Sequence, residues 1–437
     1  MLDLKKIREE PEAVKAGARK KRIPVDEVVD RILALDQERR KTCFERDKLK
    51  ETQNQVGKQI AGLKGDEKQR RIAEMAEIAA RVKTVEGQIA VVEKELSDLL
   101  IKVPNVPDPE VPEGETDKDN VELKRWGEPR RFDFAPKDHL ALGESLDLID
   151  IARASKLAGS RTYILKNEAA LLELAVLNFT LDLLVRRGFV PMIVPTLVRR
   201  EAMVGTAYFP GGEEQAYTCE KDELYLIGTS EVPVTAFHSG EILEEAELPR
   251  LYAGFSTCYR REAGAAGKDT KGLYRIHQFN KVEQVVVCRA DEDESRRFHQ
   301  FILQNAEEVL QALGLPYRVV NVCGGDLGAA QIQKFDIETW MPSRGGYGET
   351  HSASRFYDYQ ARRLNMRYRA ADGKLKFCHT LNNTAIASPR ILIAILENYQ
   401  EADGTVIIPP VLRPFLGGKE RITGPERRRT SGQVVGR

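Results

Sequence analysis

The residues best suited to chemistry lie in two short runs. They are Tyr259-Arg260-Arg261-Glu262-Ala263-Gly264 and Arg275-Ile276-His277-Gln278-Phe279-Asn280-Lys281-Val282-Glu283, separated by a small polar loop. An arginine meets a phosphate or a carboxylate as a two-pronged fork. A phenylalanine offers a face on which a purine stacks. A glutamate can take an ammonium group. Set on two strands joined by a loop, these residues fit a site that holds a nucleoside triphosphate beside a small zwitterion. A hairpin with ordinary surface charges would carry the same residue types, so the rest of the chain must decide.

Length and composition narrow the choice. A chain of 437 residues points to two or three domains. Hydrophobic residues at 42% support a sizeable core, and a charged fraction of 31% suggests a long exposed helical element. The 67 Lys and Arg balance 67 Asp and Glu, so any contact with nucleic acid must be a local patch. Cys43, Cys219, Cys258, Cys288, Cys323 and Cys378 lie far apart, with no CxxC pair and no Cys/His cluster at zinc spacing. They read as thiols of a reducing compartment, and no zinc or organic cofactor is expected. The opening Met-Leu-Asp-Leu-Lys-Lys lacks the pattern of a signal peptide, and no apolar run reaches membrane-spanning length. A cytoplasmic protein without a membrane partner is the expectation. Neither GxxxxGK[ST] nor GxGxxG after a strand occurs, so a nucleotide must be held in another way.

These residues need elements to position them. Residues 1–102 read as an N-terminal domain with a helical arm over about 26–100. From about Val25 to Ala61 helix breakers are nearly absent, and after Gly62-Leu63-Lys64-Gly65 a second run reaches about Leu100. In the second run Met75, Ile78, Val82, Val85, Ile89, Val92, Leu96 and Leu99 alternate at spacings of three and four, the seam of a coiled coil. The outbound seam is weaker, because Leu35, Leu49, Val56 and Ile60 share it with Arg39, Thr42, Arg46 and Gln53. The two helices are expected to pair antiparallel across the glycine turn, each a rod roughly 50 Å long. Lys and Arg concentrate on the outbound helix and near the tip, at Lys64, Lys68 and Arg70. This suits a solvated coiled coil of mixed charge, or a sequence-indifferent rail for a nucleic-acid backbone.

The proline-rich, acidic stretch 103–120 is expected as a linker, 121–418 as one large domain, and 419–437 as a basic, disordered tail. Within the large domain a helix is expected over Asn167 to Arg187. Phe189 to Pro195, apolar with two prolines, suits an edge strand or an interface. Further strands are expected over Glu223–Ile227, Leu251–Arg261, Tyr274–Cys288, Tyr317–Val322 and Leu375–Leu381. Strand follows strand without a regular helix between, so the fold class is α+β, with an antiparallel β-sheet flanked by helices.

The chain closely resembles the bacterial seryl-tRNA synthetases, class II aminoacyl-tRNA ligases, from end to end. Matching stretches include Pro107-Asp-Pro, Asp119-Asn-Val, Trp126-Gly-Glu-Pro-Arg, Pro136-Lys-Asp-His and Gly159-Ser-Arg161. Pro195 and its helix match the first class II motif, and Thr229-Ser-Glu-Val-Pro follows. Arg260 to Glu283 match the second motif, Tyr359-Gln-Ala-Arg-Arg comes next, and Thr380 to Arg390 with Leu396-Glu-Asn match the third. Two stretches depart from the common pattern. Asn382-Asn383-Thr384-Ala385 stands where Asn-Gly-Ser-Gly is frequent, and Glu349-Thr350-His351-Ser352 where Glu-Val-Ser-Ser is common. Threonine keeps a hydroxyl, and the Glu and final Ser survive.

The resemblance implies that L-serine and ATP give seryl-adenylate, and that serine then passes to the 3' end of tRNA(Ser), with tRNA(Sec) as a second acceptor. It implies that Arg260 and Arg390 are the catalytic cations, with Arg260 bridging the serine carboxylate and the α-phosphate. Glu262 faces the adenine amino group, Phe279 stacks on the purine, and Arg390 covers its other face. Arg261, Arg275, Ile276, Thr350 and His351 complete the ATP set, and Glu349 and Ser352 are the implied Mg²⁺ ligands. Thr229, Ser230, Glu231, Arg260, Glu283, Asn382 and Thr384 form the implied serine pocket, with Glu231 beside Thr229 on one face if that stretch is extended. Lys268 and Lys271 of the loop between the motif strands suit pyrophosphate or an acceptor end. A homodimer is implied through Pro195 and its helix. The rivals are a catalytically inactive or repurposed synthetase-like nucleic-acid-binding protein, an enzyme that loads a carrier protein, and a synthetase for another small amino acid. Deleting residues 30–100 is expected to spare adenylate formation and abolish tRNA charging, and charging retained in that deletion would refute the rail.

Overall fold

The structure is a computed structural model that describes residues 1–60, 62–263 and 272–425. The chain divides into two compact units, Met1–Val106 and Pro107–Arg437.

The first unit is helical. Helices α1 (Leu4–Glu9) and α2 (Pro11–Lys20) precede the long pair α3 (Asp26–Ile60) and α4 (Gly65–Leu100). Gly65 opens α4 at φ +64, in the left-handed region that favours glycine. The return helix buries Val82, Val85, Ile89, Val92 and Leu96 of the expected seam, and Leu100 beside them, while Met75, Ile78 and Leu99 are only half-buried. Across the pair lie Arg31–Glu95 at 2.8 Å, Arg39–Glu93 at 3.8 Å and Lys50–Glu86 at 2.7 Å. As one residue number rises its partner's falls, so the helices run antiparallel. Exposed pairs of this kind contribute little energy but fix the register.

The second unit is built on an eight-stranded sheet. Its strands in chain order are β1 (Val121–Trp126), β2 (Val190–Ile193), β3 (Arg250–Tyr259) and β4 (Gln278–Cys288). They continue as β5 (Tyr317–Asn321), β6 (Gln333–Met341), β7 (Gly346–Tyr357) and β8 (His379–Ala387). In space the order is β1-β5-β6-β7-β8-β4-β3-β2. All neighbours are antiparallel except β2 and β3, where Val190 lies beside Tyr252. Pro191 sits on β2 at the sheet edge, where a missing N–H costs no ladder bond. Helices α5 (Asn167–Arg186), α6 (Glu231–Thr235), α7 (Glu292–Ala312) and α8 (Ser388–Asn398) accompany the sheet. Leu172, Val176 and Leu184 of α5, Ile302, Val309 and Leu310 of α7, and Ile391 and Ile395 of α8 share one core with Val282 and Val286 of β4.

Three expectations are corrected. The strand expected over Leu375–Leu381 is two strands in different sheets, because Leu375–Phe377 pairs with Arg367–Arg369 while β8 begins at His379. The strand expected from Tyr274 begins at Gln278. The stretch expected as a linker belongs, from Pro107 onward, to the second unit. There Val111 is buried with Val322 and Leu327, and the Asp108 backbone N–H donates to the Ile332 carbonyl at 2.8 Å.

Asp108 explains why this stretch is ordered. Its Oδ2 accepts from Arg355 of β7 and from Arg296 of α7, each at 2.7 Å. The side chains of Asp108 and Arg355 are 2% and 0% exposed. Removing one partner strands a buried charge, so Asp108→Ala is expected to cost about 3–5 kcal/mol. Thermal unfolding of the variant checks this, and an unchanged melting temperature would mean that the contact holds nothing together.

Candidate active site

The β3–β4 pairing sets the site. Cys258 lies opposite Phe279 and Gly254 opposite Glu283, while Glu283 on its other side faces Thr384 of β8. Side chains two apart on a strand share a face, so Phe279, Lys281 and Glu283 line one cavity. Asn382 and Thr384 reach it from β8, and Glu349 and Ser352 from β7. Helix α6 approaches β3 closely, and a Cβ on Gly254 would lie 2.8 Å from Val234 Cγ2. Ser230 donates to the Gly254 carbonyl at 2.8 Å. This contact brings Glu231, at the start of α6, into the cavity.

At the inner end two carboxylates are buried. Glu231 accepts from the Tyr208 hydroxyl at 2.7 Å and from the Gln360 amide at 2.8 Å. Glu283 Oε2 lies 2.9 Å from Lys281 Nζ and accepts from Thr384 Oγ1 at 3.1 Å. Thr229 Oγ1 accepts from the Glu231 backbone N–H at 3.2 Å. Burial, reinforced by the charge of Glu283, pushes the Glu231 carboxyl up to about 7. Burial also pushes the Tyr208 phenol well above its ordinary value.

In the middle, the Arg260 guanidinium lies 5.2 Å from the centre of the Phe279 ring, and its Nε donates to the Gly228 carbonyl at 3.3 Å. Glu262 has φ 53, a left-handed backbone rare for a side chain of its kind, and it accepts from Arg275 at 3.1 Å. At the outer end Arg390 donates to the Glu349 carbonyl at 2.7 Å and to its carboxylate at 3.2 Å. The same guanidinium sits 4.3 Å from the Tyr274 ring centre, and Arg344 lies 4.2 Å from it. Burial raises the Glu349 carboxyl, but Arg390, Lys334 and Arg260 outweigh that and hold it below the ordinary range. Burial pushes His351 down to about 3, so its imidazole is neutral. Thr350 hydrogen bonds to Thr339 at 2.7 Å.

Glu349 and Ser352 present hard oxygen donors to the cavity. Beside Ser352, Asp336 Oδ1 is buried without a hydrogen-bond partner. This donor set fits Mg²⁺, which binds through one or two carboxylates and completes its shell with phosphate and water. Among the described residues no group of three or more His, Cys, Asp or Glu is arranged to hold a metal by itself, so a phosphate ligand would have to share the ion.

The cavity gathers Thr229, Glu231, Arg260, Glu262, Ile276 and Phe279 from the sequence-derived set. It also gathers Glu283, Glu349, Thr350, His351, Ser352, Asn382, Thr384 and Arg390. It does not gather three others. Ser230 is turned to the Gly254 carbonyl, and Arg275 lines an adjoining cavity with Arg260 and Glu262. Arg261 is exposed, with its backbone N–H on the Gln215 carbonyl. Glu231 is not on an extended stretch but opens α6, where Pro233 suits the first helical turn. Lys268 and Lys271 lie outside the described residues, as does the tail beyond residue 425. Sequence reasoning missed Lys281, although its two-residue offset from both Phe279 and Glu283 was a signal. It also missed Gln360, which stands inside a quoted stretch without a role, and Tyr208, which no local pattern marked.

The antiparallel sheet, with an arginine and an aromatic on one hairpin and a second arginine opening a later helix, defines a class II aminoacyl-tRNA synthetase. The family model for the tRNA synthetase class II core domain (G, H, P, S and T) matches residues 217–399. The Seryl-tRNA synthetase N-terminal domain matches residues 1–107. Serine–tRNA ligase of Deinococcus radiodurans is 47% identical over 98% of this chain and 100% of its own. The crystal structure of seryl-tRNA synthetase from Pyrococcus horikoshii complexed with ATP superposes with a TM-score of 0.91 at 43% identity, covering 97% of this chain and 100% of that one. Cytoplasmic serine–tRNA ligase from Naegleria fowleri in complex with AMP follows at 0.88 and 32% identity, covering 97% of this chain and 99% of that one. The chain belongs to the seryl-tRNA synthetase family, and serine–tRNA ligase activity follows with that membership.

The raised Glu231 carboxyl has a consequence for stability. Its ordinary value is 4.5 and its folded value about 7, so the folded state holds the proton more tightly. The stability linked to Glu231 is full below about 4.5, is lost as pH rises to about 7, and is flat beyond. The melting temperature of the native protein should therefore fall, relative to that of Glu231→Gln, across that window. Parallel profiles would show that Glu231 titrates normally.

Proposed function

We propose that this cavity activates L-serine with ATP and serves its transfer to tRNA(Ser), and to tRNA(Sec) where that acceptor exists. The observation that carries the reading is Arg260, held over Phe279, beside two buried carboxylates in one cavity. A purine stacks on Phe279 under the cover of Arg390, with its amino group toward Glu262. The serine carboxylate is already ionised and needs no base. One of its oxygens attacks the α-phosphorus, the bond to the bridging oxygen breaks, and pyrophosphate leaves. Arg260 meets both the attacking carboxylate and the charge growing on the phosphate, so catalysis is positioning and charge neutralisation. In the second step a ribose hydroxyl of tRNA attacks the serine carbonyl carbon and AMP departs. Glu349 and Ser352 would hold Mg²⁺, which would supply further charge neutralisation there.

The arm and a second subunit complete the reading. The outbound helix carries the basic residues that would follow a tRNA backbone. Leu171 and Leu174 of α5 are 50% and 54% exposed, and Val190 and Ile193 of the edge strand β2 are 54% and 89% exposed. An apolar helix face beside an unpaired strand edge suits a self-complementary contact, and we assign it to a homodimer. No helix among the described residues is long and apolar enough to cross a membrane. The deciding assay is ATP–pyrophosphate exchange with Mg²⁺ and each standard amino acid, without tRNA. Exchange with serine alone is expected, and exchange with no amino acid would sink the reading.

A further inference from the structure

Two stretches singled out in the sequence, Pro136-Lys-Asp-His139 and Leu396-Glu-Asn398, supply no lining residue to the cavity. In the structure they meet each other. Glu397, in the last turn of α8, is fully buried. Its Oε1 accepts from the His139 backbone N–H at 3.0 Å, from Nδ1 of the same residue at 2.8 Å and from the Ser343 hydroxyl at 2.8 Å. Its Oε2 accepts from the Ser343 backbone N–H at 2.9 Å. On the far side of the ring, His139 Nε2 lies 3.2 Å from the Leu273 backbone N–H. That N–H can only donate, so Nε2 accepts and the proton sits on Nδ1, where Glu397 takes it. Gly272, at φ +78, lets the backbone come this near, because a Cβ there would strike Nε2.

The residues held in this way border the cavity. Leu273, Tyr274 and Arg390 all line it. The Tyr274 carbonyl accepts from Arg390 Nε at 3.1 Å. The Tyr274 ring carries the guanidinium groups of Arg344 and Arg390, 4.2 and 4.3 Å from its centre. Arg344 follows Ser343 in the chain, and Arg390 opens the helix that Glu397 closes. A buried carboxylate with these donors would anchor a fold wherever it lay. What sets this one apart is its outlet, through an imidazole, to the backbone of a cavity-lining residue.

We propose that His139 and Glu397 are positioning residues for the nucleotide. Glu397 sets the tautomer of His139, and His139 holds the Leu273 N–H. Leu273 in turn fixes Tyr274, whose carbonyl and ring aim Arg390 at ATP. This rests on the ATP-dependent reading above. Neither residue touches a substrate, so both act on where Arg390 points and not on the reacting atoms.

The test is pyrophosphate exchange with the full-length protein, varying ATP and serine separately. His139→Asn places an amide near Nδ1, which keeps a donor for Glu397 and leaves the Leu273 N–H unmet. His139→Gln places an amide near Nε2, whose oxygen keeps the acceptor for Leu273. The Asn variant is expected to raise the KM for ATP by about 3- to 10-fold, the value of one hydrogen bond, with the KM for serine unmoved. The Gln variant should recover most of that loss. A fall in kcat with both KM values unmoved, or equal rises in the Asn and Gln variants, would overturn the proposal. If His139→Asn is not recovered folded, Ser343→Ala weakens the hold on Glu397 with the histidine intact. It should raise the KM for ATP alone, by less, and an unmoved KM for ATP there counts against the proposal. Absence of serine-dependent exchange in the unmodified protein sinks the underlying reading instead, and that outcome is distinct because it needs no variant.

Discussion

A carboxylate taken out of water must be met by a cation or by several donors, or it takes up a proton. The catalytic unit meets this demand in several ways. Glu283 has Lys281 and Thr384. Glu231 has two neutral donors, and its carboxyl rises toward neutrality. Asp108 has two arginines. Each solution recruits a distant part of the chain. Gln360 comes from the short helix Tyr359–Leu364 after β7, Tyr208 from the segment before α6, and Asp108 from a stretch that would otherwise be a tether. The polar face of the sheet thus dictates which loops must come to it, and the apolar face, packed on α5, α7 and α8, holds the strands that make this possible.

What was legible in the sequence follows the same division. The return helix declared itself because its buried residues repeat at three and four, and the outbound helix because helix breakers are nearly absent from it. The edge strand β2 declared itself through Pro191. Strand β6 carried a readable alternation in Phe335, Ile337 and Met341, all buried, yet it was not anticipated. Strand β7 had no such pattern to offer. Its buried positions include Thr350, His351, Ser354 and Arg355, so polarity gives no hint of which face is inside. In the site, Arg260, Glu262, Phe279 and Glu283 were readable because one hairpin carries them. Tyr208 and Gln360 were not, because their role exists only once the chain has folded back to Glu231.

The two units obey different rules of stability. Over its 35 residues α3 buries Val29, Ile32, Leu35, Asp36 and Val56, so much of its length has no deep apolar anchor. It stays helical because α4 offers a continuous seam and because contacts between neighbours along the pair are local. Asp36, 1% exposed, ties the base of this pair to α1 through Arg8 at 3.2 Å. A coiled coil of this kind tolerates surface substitution, since each turn depends on the turns beside it. The sheet unit does not, because Glu283, Thr384 and Gly254 are tied across three strands at once.

That interdependence places function and stability in opposition within the cavity. Glu262 holds a left-handed backbone, which costs a side chain of its kind roughly 1–2 kcal/mol. Glu231 is buried where ionisation is unfavourable, and Asp336 Oδ1 is buried without a partner. None of these is a mistake of packing that the fold could repair without loss. Glu231 leaves a demand that a cationic group can meet, and the core of α5, α7 and α8 supplies the stability that lets all three persist. Substitutions that neutralise Glu231 are therefore the ones most apt to harden the fold.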